Sequence, residues 1–93
     1  MTETGVQHRE SGKRFTTRTD SGIAYISYAR PDEQTIDLQH TVVPEADRGQ
    51  GVGASLVEAA FSHARENGLR VIPTCPFVKA WLEKHPEHQA VVK

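Results

Sequence analysis

Apolar residues between Ile23 and Ala29 fall on both alternating sets, Ile23, Tyr25 and Ala29 against Ala24, Ile26 and Tyr28. A strand with two apolar faces is expected to be covered on each side. Upstream, residues 6–9 make a short strand that breaks at Ser11-Gly12. Residues 14–19 (RFTTRT) are rich in β-favouring types and end at the turn signal Asp20-Ser21-Gly22. Arg30 to Gln34 form a second turn, and Thr35 to Val43 the next strand, closed by Pro44. Short turns between these strands predict an antiparallel meander.

The period then changes. Val52, Leu56, Ala60 and Ala64 recur every four residues with Val57 and Phe61 beside them, while Glu58, His63, Arg65 and Glu66 take the polar side. This predicts an amphipathic helix over 51–67, stopped at Asn67-Gly68. Leu69 to Thr74 read as a strand that Pro73 places at an edge or an end. A second helix begins at Pro76, where proline suits the first helical position, and Pro86 ends it. Phe77, Trp81 and Leu82 on this helix are expected in the core, and His85 at its C-terminal cap. His63 and His88 are expected to face solvent. The order β-β-β-β-α-β-α describes an α+β (mixed α/β) domain with helices over a sheet, residues 1–5 forming a flexible N-terminus and 6–93 a single domain.

The 93 residues carry a formal net charge of −1 with both signs interspersed. That balance argues against nucleic acid or an anionic membrane as partner. No apolar run is long enough to span a bilayer, and the first residues lack a signal-peptide core. The lone cysteine has no disulfide partner, and no cysteine–histidine cluster has zinc spacing, so no metal is expected. The expectation is a soluble, cytoplasmic protein, monomeric or weakly homodimeric.

The chemistry concentrates in Arg48-Gly49-Gln50-Gly51-Val52-Gly53, between a strand and a helix start. Glycines let a backbone curl close to a ligand, and the N–H groups opening a helix are free to bind phosphate oxygens. Arg48 adds a fixed positive charge. A nucleotide P-loop needs lysine and serine or threonine directly after the glycines, where Ala54-Ser55 stand; a dinucleotide fingerprint needs other glycine offsets. A plain turn feeding a helix is the alternative.

This stretch resembles the Arg/Gln-x-x-Gly-x-Gly/Ala signature of the GNAT superfamily of N-acyltransferases. His40-Thr41, Pro73-Thr74-Cys75 and Trp81-Leu82-Glu83-Lys84-His85-Pro86 extend the resemblance to a short stand-alone GNAT-like group, over about residues 6–90. The resemblance implies a minimal GNAT-like fold and acetyl-CoA as co-substrate. Its pyrophosphate would lie on Arg48, Gly49, Gln50, Gly51, Val52 and Gly53, and its pantetheine along Thr41, Val42 and Val43. The fourth and fifth strands would splay apart around the thioester. The implied activity is transfer of an acetyl group to an unidentified amine of a small molecule or protein.

Cys75 precedes Pro76, at the expected N-cap of the second helix. Thiols at helix N-termini are acidified, and the thiolate is the reactive form, so Cys75 is a candidate acyl carrier. The alternative is a small buried hydrophobe lining a pocket in which transfer is direct. His40 is a candidate base toward Cys75 or an incoming amine, or a histidine bonded within the sheet. The chain departs from the wider superfamily in having no room for helices after the first strand and no certain acidic base, Asp37 being a weak candidate. A non-catalytic CoA-binding or protein-interaction module is therefore the competing function.

Overall fold

A computed structural model describes residues 5–93. Of the flexible segment expected at 1–5, all but Gly5 lies outside the described residues; the Gly5 carbonyl accepts a bond from Thr17 Oγ1 at 3.4 Å. The elements are β1 (Gln7–Arg9), β2 (Arg14–Arg18), β3 (Ile23–Asp32), β4 (Thr35–Val42), α1 (Val52–Glu66), β5 (Arg70–Pro73) and α2 (Pro76–Lys84). Short 3₁₀ turns occupy Glu45–Asp47 and Pro86–Val91. The strands form one sheet in the order β1-β2-β3-β4-β5. All pairs are antiparallel except β4 with β5, which are parallel. This is the expected mixed α/β order.

Helix α1 supplies the crossover a parallel pair requires. It ends on a glycine in the left-handed region, Gly68 at φ 68°. Leu69 N–H reaches back to Ala64 O at 2.8 Å and Gly68 N–H to Arg65 O at 3.4 Å, so the last carbonyls are satisfied. Pro73 closes β5, as expected of a residue with no ladder donor. Beyond the end expected at Pro86, the chain continues through its 3₁₀ turn. Val92 then bridges Val71 in parallel, and Lys93 N–H bonds Val71 O at 2.8 Å, which covers the free edge of β5.

The core lies on one face of the sheet. Ala24, Ile26, Ile36, Leu38, Leu56, Val57, Phe61, Val71 and Val78 are inaccessible to solvent, and Phe61 meets Trp81 with ring centroids 5.2 Å apart. Both helices therefore cover the same side. The expectation that β3 is covered on both faces is incorrect. Ala24, Ile26 and Tyr28 are buried, whereas Ile23 is 54% exposed and Tyr25 and Ser27 are only partly covered. With no helices after the first strand, nothing among the described residues packs over the second face. The expected turn at Arg30–Gln34 is also shorter. Strand β3 continues through Pro31 to Asp32, because a register irregularity after Ala29 absorbs the missing proline donor. Asp32 Oδ1 then accepts the Gln34 N–H at 2.8 Å to make the turn.

His63 and His88 do not face solvent freely. The sheet is wide enough for β1 and β2 to reach under the flank of α1. There the His63 ring sits 4.4 Å from His8, and His8 Nε2 lies 2.6 Å from the Tyr28 hydroxyl. His88 rests against Trp81 at 5.0 Å and accepts a bond from Arg65 Nη2 at 2.6 Å. Burial lowers the pKa of His8 below its ordinary 6.5, and the His63 charge pushes it further down. Burial lowers that of His63 as well, with Glu10 opposing. Both are thus harder to protonate folded than unfolded, so the unfolded chain binds more protons as pH falls through about 6.5. Stability should be full above that value and decline below it. Thermal unfolding from pH 8 to pH 5 should show Tm falling in that window, and His63→Gln should flatten the fall; an equally steep curve in the variant would remove this pair as the cause.

Candidate functional site

The ladder between β4 and β5 runs from Thr35–Arg70 to Leu38–Pro73 and stops. Strand β4 continues to Val42, still paired with β3. After Pro73 the chain turns away: Thr74 N–H bonds Ile72 O at 3.1 Å, and Cys75 N–H reaches Leu38 O at 3.0 Å. The two strands therefore fork at Leu38. A bulge coincides with the fork. Tyr28 pairs with Leu38 and Ser27 with His40, which leaves Gln39 as the extra residue on β4. The bulge reverses the alternation. Ile36 and Leu38 face the core before it; after it Thr41, paired with buried Ile26, faces the helices, and His40 and Val42 turn to the open face.

The glycine-rich loop closes the fork from above. Asp47 N–H bonds Pro44 O at 2.9 Å and Arg48 N–H bonds Glu45 O at 3.2 Å, winding the chain into a turn before the glycines. Gly49 and Gly51 both sit at φ 84°, a conformation that side chains rarely adopt. Gly51 is the N-cap of α1, and Ser55 N–H to Gly51 O, at 3.0 Å, is the first helical bond. The N–H groups of Val52, Gly53 and Ala54 are left at the helix mouth without carbonyl partners in the helix. The helix dipole makes this a favourable place for an anion, by about 0.3–1 kcal/mol at an exposed site. Gly53 has a different reason: a Cβ there would stand 2.8 Å from Phe77 Cζ.

These parts enclose a cleft of about 500 Å³. Of the residues named from sequence, Thr41, Val43, Arg48, Gly49, Gly51, Val52 and Gly53 come together on its walls. Val42 lies on the opposite face of the strand, and Gln50 lines a neighbouring depression with Asp20 and Ser55. Sequence reasoning missed Asp47, Ala54 and Phe77 in the wall. Phe77 is 44% exposed and is cleft wall, not core; the second residue of α2 lies beyond the layer that Val78, Trp81 and Leu82 fill. Asp47 is buried and its Oδ2 has no hydrogen-bond partner. Nothing in its sequence context signals that burial.

The profile of the GCN5-related N-acetyl-transferase family matches residues 14–91. The chain belongs to that family. Among solved structures it is similar to a GCN5-like protein from Staphylococcus aureus determined by NMR, with TM-score 0.75 and 36% identity, covering 100% of this chain and 91% of that one. It is also similar to protein NATD1 of Xenopus tropicalis, 31% identical over 83 residues, which span 87% of this chain and 76% of that protein. Human NATD1 is 31% identical over 83 residues, 87% and 74% of the two chains.

The GNAT fold gives the remaining candidates their places. Cys75 is the N-cap of α2, 4% exposed, with Sγ 3.4 Å from Thr41 Oγ1. Thr41 lines the cleft and Cys75 sits directly behind it, in the fork. His40 is exposed on the other side of β4, so the strand itself separates it from the thiol. Asp37 lies on that same open face, with its carboxylate accepting the Thr74 hydroxyl at 2.5 Å. His85 holds the end of α2 as expected, its N–H bonding Leu82 O at 3.1 Å and Nδ1 bonding Trp81 O at 2.9 Å. Among the described residues no cluster of His, Cys, Asp or Glu is placed to hold a metal ion, and no helix is long and apolar enough to cross a membrane.

Proposed function

We propose that this GNAT protein is an acetyl-CoA-dependent N-acetyltransferase whose donor cleft is the one between the glycine loop and the β4–β5 fork. The observation that carries the proposal is the coincidence of three features in one cleft. They are helix-mouth N–H groups beside Arg48, two left-handed glycines, and a strand edge that loses its partner after Leu38. The pyrophosphate fits the first two, and an extended pantetheine arm fits the third, as an added strand along Thr41 to Val43.

Family membership supports this reading, and the fork adds a chemical role for Cys75. Its thiol is buried, with Sγ 3.4 Å from the hydroxyl of Thr41, which lines the cleft. Attack of Sγ on the thioester carbonyl forms an acetyl-cysteine and releases the CoA thiol, which takes the proton. An amine then attacks the acetyl-cysteine, and the thiol is regenerated. His40 lies on the opposite face of β4 from the thiol and cannot deprotonate it; an amine that enters the β4–β5 fork from the open face passes His40, which can accept its proton before the amine reaches the acetyl group.

Thermal unfolding with acetyl-CoA at about 100 times its Kd should show a stabilisation of about 2.7 kcal/mol, a Tm shift on the order of 10 °C for a domain of this size. Cys75→Ala should keep that shift and lose most of its turnover, and intact mass of the unaltered protein should reveal one added acetyl group. No shift at millimolar acetyl-CoA would end the donor-site reading. Unchanged turnover in Cys75→Ala would leave transfer direct, from thioester to amine.

A further inference from the structure

The sheet face that no helix covers has a charge pattern of its own. Register places Arg9, Arg14, Ser27 and His40 in one transverse row across β1, β2, β3 and β4. The next row is Gln7, Thr16, Tyr25 and Val42, and Arg18 stands beyond it opposite Ile23. Alternation puts all of these on the side away from buried Phe15, Ala24 and Ile26. Arg9 and Arg14 are direct cross-strand partners, an arrangement of like charges that destabilises a sheet. Among the described residues neither they nor Arg18 has a carboxylate partner. Asp37, the carboxylate at an inner strand position on this face, is bonded to Thr74. The Arg14 guanidinium lies 4.1 Å over the Tyr25 ring, which occupies its flat face and leaves its N–H edge for an anion.

The row also has a direction. It spans about 14 Å, three strand spacings, and ends at His40 beside the fork. We infer that this face docks an acidic segment of an acceptor protein, laying its carboxylates on Arg9, Arg14 and Arg18 and bringing an amine past His40 into the fork that opens after Leu38. The inference rests on the N-acetyltransferase reading and specifies its substrate class: a protein amine flanked by Asp or Glu. An anionic partner would relieve the Arg9–Arg14 repulsion further than the Gln7 amide oxygen, 2.7 Å from Arg9 Nη2, and the Tyr25 ring under Arg14 do. Nucleic acid is the other polyanion, and the overall charge of −1 works against it.

The test uses the full chain and fluorescent peptides carrying a single lysine flanked by glutamates or by arginines. Anisotropy without acetyl-CoA reads docking alone. The acidic peptide should bind at least about tenfold tighter than the basic one, weaken as salt is raised, and lose that preference in the Arg9→Glu/Arg14→Glu double variant. The acetyl-CoA Tm shift of that variant should match the unaltered protein, which shows that fold and donor site survive. With acetyl-CoA present, the acidic peptide should be acetylated at lysine, with a raised KM and little change in kcat in the variant. Equal binding of the two peptides, binding insensitive to the charge reversal, or tighter binding of a single-stranded oligonucleotide of equal charge would each overturn the docking surface. A bound acidic peptide left unacetylated while the acetyl-CoA shift is present would overturn the acceptor assignment. An absent acetyl-CoA shift would instead overturn the enzyme reading, with the anisotropy result standing on its own.

Discussion

Phe61→Ala is expected to leave the protein largely unfolded at 37 °C. The side chain is inaccessible to solvent at the centre of α1, facing the sheet, with Trp81 5.2 Å and His88 5.6 Å away by ring centroid. It joins the layers, because Trp81 belongs to α2 and His88 to the terminal 3₁₀ turn. Removing a buried phenylalanine costs about 3–5 kcal/mol, the range depending on how far the cavity collapses. Collapse is limited here: both helices share one sheet face, and no second core layer can move in. A small domain has about 5–15 kcal/mol in total, so the loss is a large share. The expected fall in Tm is on the order of 20 °C or more. Phe77→Ala, one turn earlier on α2 than Trp81 and 44% exposed, provides the contrast. It should move Tm by only a few degrees and act on acetyl-CoA affinity instead. A Phe61→Ala protein that still unfolds within a few degrees of the original would mean that α1 and α2 are held by something other than this layer.

The contrast between these two phenylalanines shows where sequence reading works and where it stops. Periodicity located α1, and the Asn67-Gly68 signal located its end, because a helix in a thin domain has one buried stripe and the stripe is written every three to four residues. The glycine loop was legible for a different reason: residues at positive φ are restricted to few types, so Gly49 and Gly51 declare their backbone. Phe77 was not legible. Its hydrophobicity is the same on a cleft wall as in a core, and only the depth of the sheet under α2 decides between them. The open face of β3 was hidden similarly. Ile23 and Tyr25 read as a covered surface, yet covering requires helices that the short Ser11–Arg30 segment has no room to supply.

The bulge at Gln39 is the most consequential feature that pattern could not reveal. Uninterrupted alternation puts His40 and Val42 on the side of Ile36 and Leu38, and Thr41 opposite. One extra residue exchanges those sides, bringing Thr41 to Cys75 and sending His40 to the open face. A bulge depends on the partner strand's register, which a single strand's sequence does not encode. The consequence is positional: the Cys75 thiol and the His40 imidazole stand on opposite sides of β4.

Gly51→Val is expected to abolish the acetyl-CoA Tm shift while leaving a folded protein. At φ 84° and ψ 7° Gly51 sits in the left-handed region, where a side chain costs roughly 1–2 kcal/mol and a β-branched one most. Part of the effect is therefore on stability alone, and a control must separate it. Gly68 supplies that control. It too is left-handed, at φ 68°, and a Cβ at either glycine meets nothing within 4 Å. The backbone penalties should be similar, so Gly68→Val should lower Tm by a comparable few degrees. The empty spaces differ, however. Beyond Gly68 lies the solvent at the end of α1, whereas Gly51 borders the cleft at the helix mouth. A valine there occupies the room in which phosphate oxygens would approach the N–H groups of Val52, Gly53 and Ala54. Gly68→Val should thus keep the full acetyl-CoA shift and Gly51→Val lose it. If both variants respond to acetyl-CoA alike, the anion does not sit on the helix mouth, and the glycines serve only to turn the chain from β4 into α1.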